Sequence, residues 1–464
     1  HHNFKYQPDH FQLWGFDAIN KGHNILVTAH TGSGKTYLAL QAIGKHFKDG
    51  KQIIYTAPTK ALCNNKYQEL TSLFDDVGIV TGDKIDNPCA QLLIMTAECA
   101  RNGLLRKENE NIYEWNLNVS KIGCLIADEV HYINDKDRGT VWEETIKELP
   151  PTVQLVMLSA TITGAQIFAR WVGKIKNIPC HLISTAKRPV PLEHNFFYTH
   201  ISKNERGKDV FTDKIVTIMK DNQWNEGEWT RVKSHSDKYF KMKKTKYNTT
   251  KIYDCIAKLK EKKDLPVIVF VLNRKMVERI GEKMPFSFIE DDDNDTNKLA
   301  QIRKLWDKHI LKYKEIYQNS DQWVLVKKLI EKGIGIHHSG IIPILKEMVE
   351  ILFAEKLLSV LIATSTVAEG LNFPTKSVIF PKLNKYDGIR DRLLKPEEYV
   401  QMAGRAGRRG IDTIGKIYII MDYDMTHEMD SKKMIQAPPQ KLASKLKLDY
   451  NYILKRMVMR IENN

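Results

Sequence analysis

Ala29-His30-Thr31-Gly32-Ser33-Gly34-Lys35-Thr36 follows an apolar run, Ile25-Leu26-Val27, and precedes Leu38-Ala39-Leu40-Gln41-Ala42-Ile43. The first run reads as a buried strand and the second as a helix. Strand, glycine-rich turn, Gly-Lys-Thr and helix is the context a phosphate-binding P-loop needs. Gly32 and Gly34 let the backbone curl so that several N–H groups face one anion. The helix N-terminus adds partial positive charge. Thr31 to Thr36 are therefore candidate nucleotide contacts, with Lys35 reaching the β- and γ-phosphates and Thr36 ligating Mg²⁺. The usual first glycine is Ala29 here.

The surrounding third of the chain alternates strands and helices. Residues 52–57, 77–81, 91–95, 122–127, 153–158 and 180–185 read as short buried strands without alternation, as in a parallel sheet covered on both faces. The fold class is α/β, doubly wound. Such a sheet places its chemistry at the C-terminal strand ends. Asp128-Glu129-Val130-His131 sits at one of them, about 90 residues after Lys35. Asp128 can hold Mg²⁺ through water, and Glu129 can orient and deprotonate an attacking water. His131 lies one turn on and can sense the nucleotide. Ser159-Ala160-Thr161 ends the next strand, where the hydroxyls of Ser159 and Thr161 can couple the nucleotide site to a neighbouring domain. Pro58-Thr59-Lys60, Gly82 and Thr96-Ala97-Glu98 end three further strands. Hydroxyls, a lysine and free N–H groups there suit a phosphodiester backbone and carry no base information.

The 464 residues predict two to four domains. At 42% hydrophobic and 27% charged the composition is that of an ordinary globular protein, with no apolar run of membrane-spanning length. His1-His2 reads as a tag remnant. The six cysteines show no Cys-x-x-Cys pair, which argues against structural zinc or a disulfide framework. They fit a reducing, intracellular compartment. A net charge of +15 suits a polyanionic partner. Arg188-Pro189-Val190-Pro191-Leu192 reads as a connector, and residues 200–250 as a polar surface insertion whose lysines alternate with Tyr239, Phe240 and Tyr247. Residues 290–295 read as an acidic loop and 299–317 as one amphipathic helix.

A second α/β unit follows, with strands expected at 267–272, 360–363, 377–380 and 417–421. It has no P-loop. Its strongest signal is Gln401-Met402-Ala403-Gly404-Arg405-Ala406-Gly407-Arg408-Arg409-Gly410. Arg405 and Arg408, three apart, are expected on one helical face, where planar forks suit the γ-phosphate of a nucleotide held by the other domain. Asn273, Arg274 and Thr364 form this unit's candidate nucleic-acid track.

These motifs, in this order, resemble those of superfamily-2 DExH-box helicases. Residues 128–145 (DEVHYINDKDRGTVWEET), 335–352 (GIHHSGIIPILKEMVEIL), 385–388 (KYDG) and 396–410 make the chain most similar to the Ski-type RNA helicases that feed the RNA exosome. The resemblance covers residues 4–464. It implies two tandem RecA-like domains, ATP hydrolysis with Mg²⁺, and 3′→5′ movement on single-stranded RNA. Tyr6 and Gln12 match adenine-holding positions, Gly370 a nucleotide-contacting one, and Gln401, Arg405 and Arg408 the second domain's ATP-facing residues. The expected domains are 1–186, 187–435 and 436–464, the last being the start of a truncated winged-helix region at 446–456. Glu369 and Asn65 depart from the family pattern, where methionine and glutamine are usual. The expected partners are RNA with a 3′ tail and an exosome or other RNA-processing complex, with no membrane. The expected place is nucleus or cytoplasm, and Lys-, Ile- and Asn-rich usage points to an AT-rich genome, a protist or a large DNA virus. Two alternatives stand beside this reading: a Ski-type DNA helicase, and an ATP-gated nucleic-acid clamp with little unwinding.

Overall fold

The computed structural model describes residues 7–30, 32–105, 115, 117–135, 138–185, 188–243, 249–289, 293–368, 373, 375–386, 388–421, 428–437 and 441–444. The chain forms two compact units, His1–Arg188 with Pro438–Asn464, and Pro189–Ala437.

The first unit is built on β1 (Asn24–Thr28), β2 (Gln52–Ala57), β3 (Val77–Val80), β4 (Ile85–Asp86), β5 (Leu92–Thr96), β6 (Ile122–Ala127), β7 (Gln154–Ser159) and β8 (Cys180–Ser184). They lie in the order β4-β3-β5-β2-β6-β7-β1-β8. Every pairing is parallel except β3 with β4. Successive residues of one strand enter opposite cores. Leu26, Ile54, Leu93 and Leu125 face one side, and Ile25, Ile53, Ile94 and Ile126 the other. Both faces are covered, which is why these strands read as continuous apolar runs. Each such side chain contributes roughly 1.5–3 kcal/mol of burial.

After the second unit the chain returns to the first. Asn134 donates from Nδ2 to the Lys441 carbonyl (3.0 Å) and accepts from the Ala443 N–H (2.9 Å). Ser444 donates to Glu143 Oε2 at 2.7 Å. Residues 441–444 thus belong to the first unit rather than to a separate C-terminal region. The expected winged-helix start, 446–456, lies outside the described residues.

The second unit's sheet runs β11-β10-β9-β18-β15-β12-β14-β13. The strands are β9 (Leu192–Lys203), β10 (Asp209–Lys220), β11 (Gln223–Trp224), β12 (Val267–Phe270), β13 (Ile334–His337), β14 (Val360–Ala363), β15 (Ser377–Phe380) and β18 (Gly415–Ile420). A separate hairpin joins β16 (Asn384–Tyr386) to β17 (Asp391–Leu393). Two sheets with helices on both faces are the two tandem RecA-like domains the sequence implies.

Three expectations are corrected. The stretch 200–250 is not a polar insertion: β9 and β10 extend the sheet as an antiparallel edge, and helix Glu226–Lys243 packs against it. Phe196, Phe197, Tyr198, Trp229 and Val232 fill the core, while Val210 and Phe211 stay exposed. One-sided burial in an edge strand leaves half of its residues polar, and that half masked the strand. Residues 299–317 are not one helix either, because α-helix Asp293–Ile310 gives way to a 3₁₀ turn at Leu311–Tyr313. That helix also takes in 293–295 of the expected acidic loop, whose residues 290–292 are outside the described set. Among the described residues no helix is long and apolar enough to cross a membrane.

Candidate nucleotide and nucleic-acid site

The first unit gathers its polar loops on the C-terminal edge of one parallel sheet. Gly32 and Gly34 have φ of +82° and +83°, a region that glycine enters without strain. A side chain at Gly32 would meet open space, so its glycine is set by the backbone conformation and not by crowding. Lys35 precedes helix Thr36–Lys48 and donates from Nζ to the Ala29 carbonyl at 2.8 Å. Gln12 is fully buried and donates from Nε2 to the Gly34 carbonyl at 3.0 Å, while its Oε1 accepts from the Asp9 N–H at 2.8 Å. Its amide therefore braces the glycine-rich loop. Tyr6, Thr31 and Gly370 lie outside the described residues.

Asp128 and Glu129 follow β6, two strands from β1 in the sheet. Asp128 Oδ2 accepts from the Tyr55 hydroxyl at 2.5 Å, and Oδ1 accepts from the Glu129 N–H at 2.9 Å. Burial, reinforced by the Glu129 carboxylate, raises the Asp128 pKa. A nearby cation would offset that cost. One carboxylate and the Thr36 hydroxyl, both hard oxygen donors, fit the small protein share of a Mg²⁺ sphere completed by water and phosphate. Glu129 takes φ 54°, ψ 45°, a left-handed conformation uncommon outside glycine and concentrated at functional sites. Its Oε2 is 3.3 Å from His131 Nδ1, and the same nitrogen is 3.5 Å from the Ala160 N. Burial lowers the His131 pKa, against the pull of Glu129. His131 thus ties the carboxylate loop to Ser159-Ala160-Thr161, and Ser159 itself is fully buried.

The loops after β2, β3 and β5 are joined by ion pairs. Lys60 meets Asp83 at 2.6 Å, and its Nζ stands 3.3 Å from where a side chain on Gly82 would begin. Arg138 donates to the Pro58 carbonyl at 2.7 Å and lies 3.7 Å from Glu98. Thr59 and Thr96 cap the next helices by accepting from Leu62 N and Cys99 N.

In the second unit, Asn273 caps helix Arg274–Glu282, and Thr364 bonds Thr366 at 3.0 Å. Gln401 lies in helix Pro396–Ala403. That helix ends before Arg405, so Arg405 and Arg408 do not share a helical face. Gly407 takes φ +91°, and a side chain there would stand 2.5 Å from Val190 Cγ1, which explains the glycine. Arg405 bonds the Ala368 carbonyl. Arg408 Nε and Nη2 grip Asp412 at 2.6 and 2.7 Å.

Glu398 anchors the same helix to the β16–β17 hairpin. It accepts a fork from Arg392 (2.7 and 2.9 Å), a bond from Lys385 (3.1 Å) and the Lys395 N–H (2.9 Å). Burial pushes its carboxyl up, but these donors outweigh it and hold the pKa at about 2. A depressed folded-state pKa contributes stability above the unfolded value of 4.5 that is lost as pH falls toward 2. The contribution is on the order of 3 kcal/mol. Acid unfolding followed by circular dichroism should show wild-type stability falling through that window and Glu398→Gln falling less. Parallel curves would contradict the assignment.

Tyr55, Arg138, Glu398 and Asp412 escaped the sequence reading. Tyr55 hides in an apolar strand, and the two partners of Arg138 are remote in sequence. Asp412 left one usable signal, its spacing of four from Arg408.

A DEAD/DEAH box helicase model matches residues 10–168, and a helicase conserved C-terminal domain model matches residues 297–410. Fold and matches define a DExH-box helicase core, with His131 as the final residue of the box. Among similar curated proteins is the ATP-dependent RNA helicase mtr4 of Schizosaccharomyces pombe, 36% identical over 99% of this chain and 40% of its own. The exosome RNA helicase MTR4 of Mus musculus is 35% identical over 98% and 42%. The superkiller complex protein 2 of Homo sapiens is 35% identical over 97% and 36%. The chain belongs to the Ski-type DExH-box helicases. It spans 36 to 42% of the length of these relatives.

Proposed function

We propose that this chain is the motor of an ATP-dependent RNA helicase that moves 3′→5′ on single-stranded RNA and feeds RNA processing or decay. The observation that carries the reading is the shared sheet edge, with the P-loop, the Asp128-Glu129 pair and the joined loops of β2, β3 and β5 all at C-terminal strand ends of one unit. Lys35 and the loop N–H groups hold the ATP phosphates. Thr36 and Asp128 would hold Mg²⁺, which would neutralise phosphate charge. Glu129 orients water and takes its proton. Gln401, Arg405 and Arg408 act on the same nucleotide, and His131, Ser159 and Thr161 pass its state to the RNA loops. Pro58 to Lys60, Gly82, Thr96, Glu98, Asn273, Arg274 and Thr364 follow the RNA backbone. The names of the mouse and human relatives point to an exosome or superkiller assembly as partner.

ATP hydrolysis measured with RNA and with DNA of one sequence tests the substrate. RNA with a 3′ tail should stimulate turnover more than the DNA, with affinity falling steeply with salt and varying little with sequence. Stimulation by DNA alone would favour the DNA-helicase reading. RNA-stimulated hydrolysis without strand separation would favour the clamp.

A further inference from the structure

Arg408 is held by one residue at several points. Asp412 Oδ2 accepts from the Arg408 backbone N–H at 2.9 Å and from Nε at 2.6 Å, and Oδ1 accepts from Nη2 at 2.7 Å. The Asp412 N–H donates back to the Arg408 carbonyl at 2.9 Å. The Asp412 side chain is only 6% exposed and that of Arg408 18%. Gly407, pressed against Val190 and Gly415, holds the preceding backbone.

The pair is side-on. Two parallel bonds through Nε and Nη2 fix the plane of the guanidinium, which a single end-on contact does not do. They engage one edge of the fork and leave the Nη1 edge outside the carboxylate's grip. A planar donor intended for a phosphate oxygen gains from this, because its orientation is set before the ligand arrives. An ion pair serving stability alone has no need of that geometry, and a lysine would satisfy it.

We propose that Asp412 is a positioning residue for nucleotide hydrolysis, acting only through Arg408 by holding its guanidinium in the plane that meets the γ-phosphate. The proposal rests on the reading of Arg408 as a nucleotide-facing group. Asp412 itself touches no nucleotide.

The test is a cycle of Asp412→Asn, Arg408→Ala and the double variant, with kcat and KM for ATP measured under saturating RNA and thermal midpoints recorded alongside. Asp412→Asn keeps the shape and weakens the grip. It should lower kcat roughly 10- to 100-fold, the scale of one charge-assisted hydrogen bond, while leaving KM within about twofold. In the Arg408→Ala background the same change should alter kcat less than about twofold, since the group it acts through is gone. Asp412→Glu, which keeps the charge on a longer arm, should retain more turnover than Asp412→Asn and covers the case of a poorly folded asparagine variant. Unchanged or raised kcat in Asp412→Asn would overturn the proposal, the latter by showing that the carboxylate parks the arginine rather than aims it. Multiplying losses in the double variant would also overturn it, by showing a separate structural role. If Arg408→Ala itself turns over at the wild-type rate, the nucleotide-facing reading fails first and the proposal with it. Full loss in Arg408→Ala with a normal Asp412→Asn defeats the proposal alone.

Discussion

Glu129→Gln should abolish steady-state ATP turnover while leaving ATP bound. The glutamine keeps the volume and one acceptor oxygen, so the loop after β6 and the Asp128 contact to the Glu129 N–H persist. What is lost is the base, and a positioned general base contributes about 10²- to 10⁴-fold. Lys35→Ala should stop turnover by another route. Its ammonium bonds the Ala29 carbonyl at the start of the loop, and without it phosphates bound there would lose a cation. ATP affinity should therefore fall for Lys35→Ala and hold for Glu129→Gln. Equilibrium binding of a fluorescent ATP analogue, read beside turnover, separates the two. Near wild-type hydrolysis by Glu129→Gln would remove Glu129 from the role of base.

Arg408→Ala should cut turnover by ~10³-fold, the scale of an arginine finger. Much of the ATP affinity should survive, since the P-loop remains. The structure adds a second consequence. Removing Arg408 leaves the Asp412 carboxylate buried without its fork, and a broken buried pair costs about 3–5 kcal/mol. The thermal midpoint should drop with the activity. Adding Asp412→Asn to Arg408→Ala should restore the midpoint and not the turnover. Turnover that recovers together with stability would show that Arg408 acts by folding the loop and not on the nucleotide.

Much of the first unit was legible because fully buried parallel strands announce themselves. Residues 52–57 and 122–127 coincide with β2 and β6, and the others shift by a residue or two. Residues 360–363 and 377–380 coincide with β14 and β15 for the same reason. From sequence the edge hairpin β9–β10 reads as an insertion because its outer face is polar. Strand β13 gives no strand signal in the sequence because Gly335 interrupts its apolar run. That glycine is required, since a side chain there would stand 2.8 Å from Val349 Cγ1 and 2.9 Å from Leu361 Cδ1.

By itself the sequence determined the local patterns on which the site reading rests, the glycine-rich turn before Thr36, the Asp128-Glu129 pair and the Gln401–Arg408 segment, because each is a short stretch of neighbouring residues. It also determined the fold class, since strand and helix periods are local as well. Only the tertiary structure decided which partners those groups keep. Tyr55 reaches Asp128 across adjacent strands, Arg138 joins Pro58 from a loop 80 residues on, and Glu398 gathers two strands onto one helix. The side-on grip of Asp412 on Arg408 belongs here too, because i,i+4 spacing permits that contact and only the turn set by Gly407 orients it. Hydrogen-bond geometry is fixed by packing in three dimensions, and spacing along the chain carries no record of it.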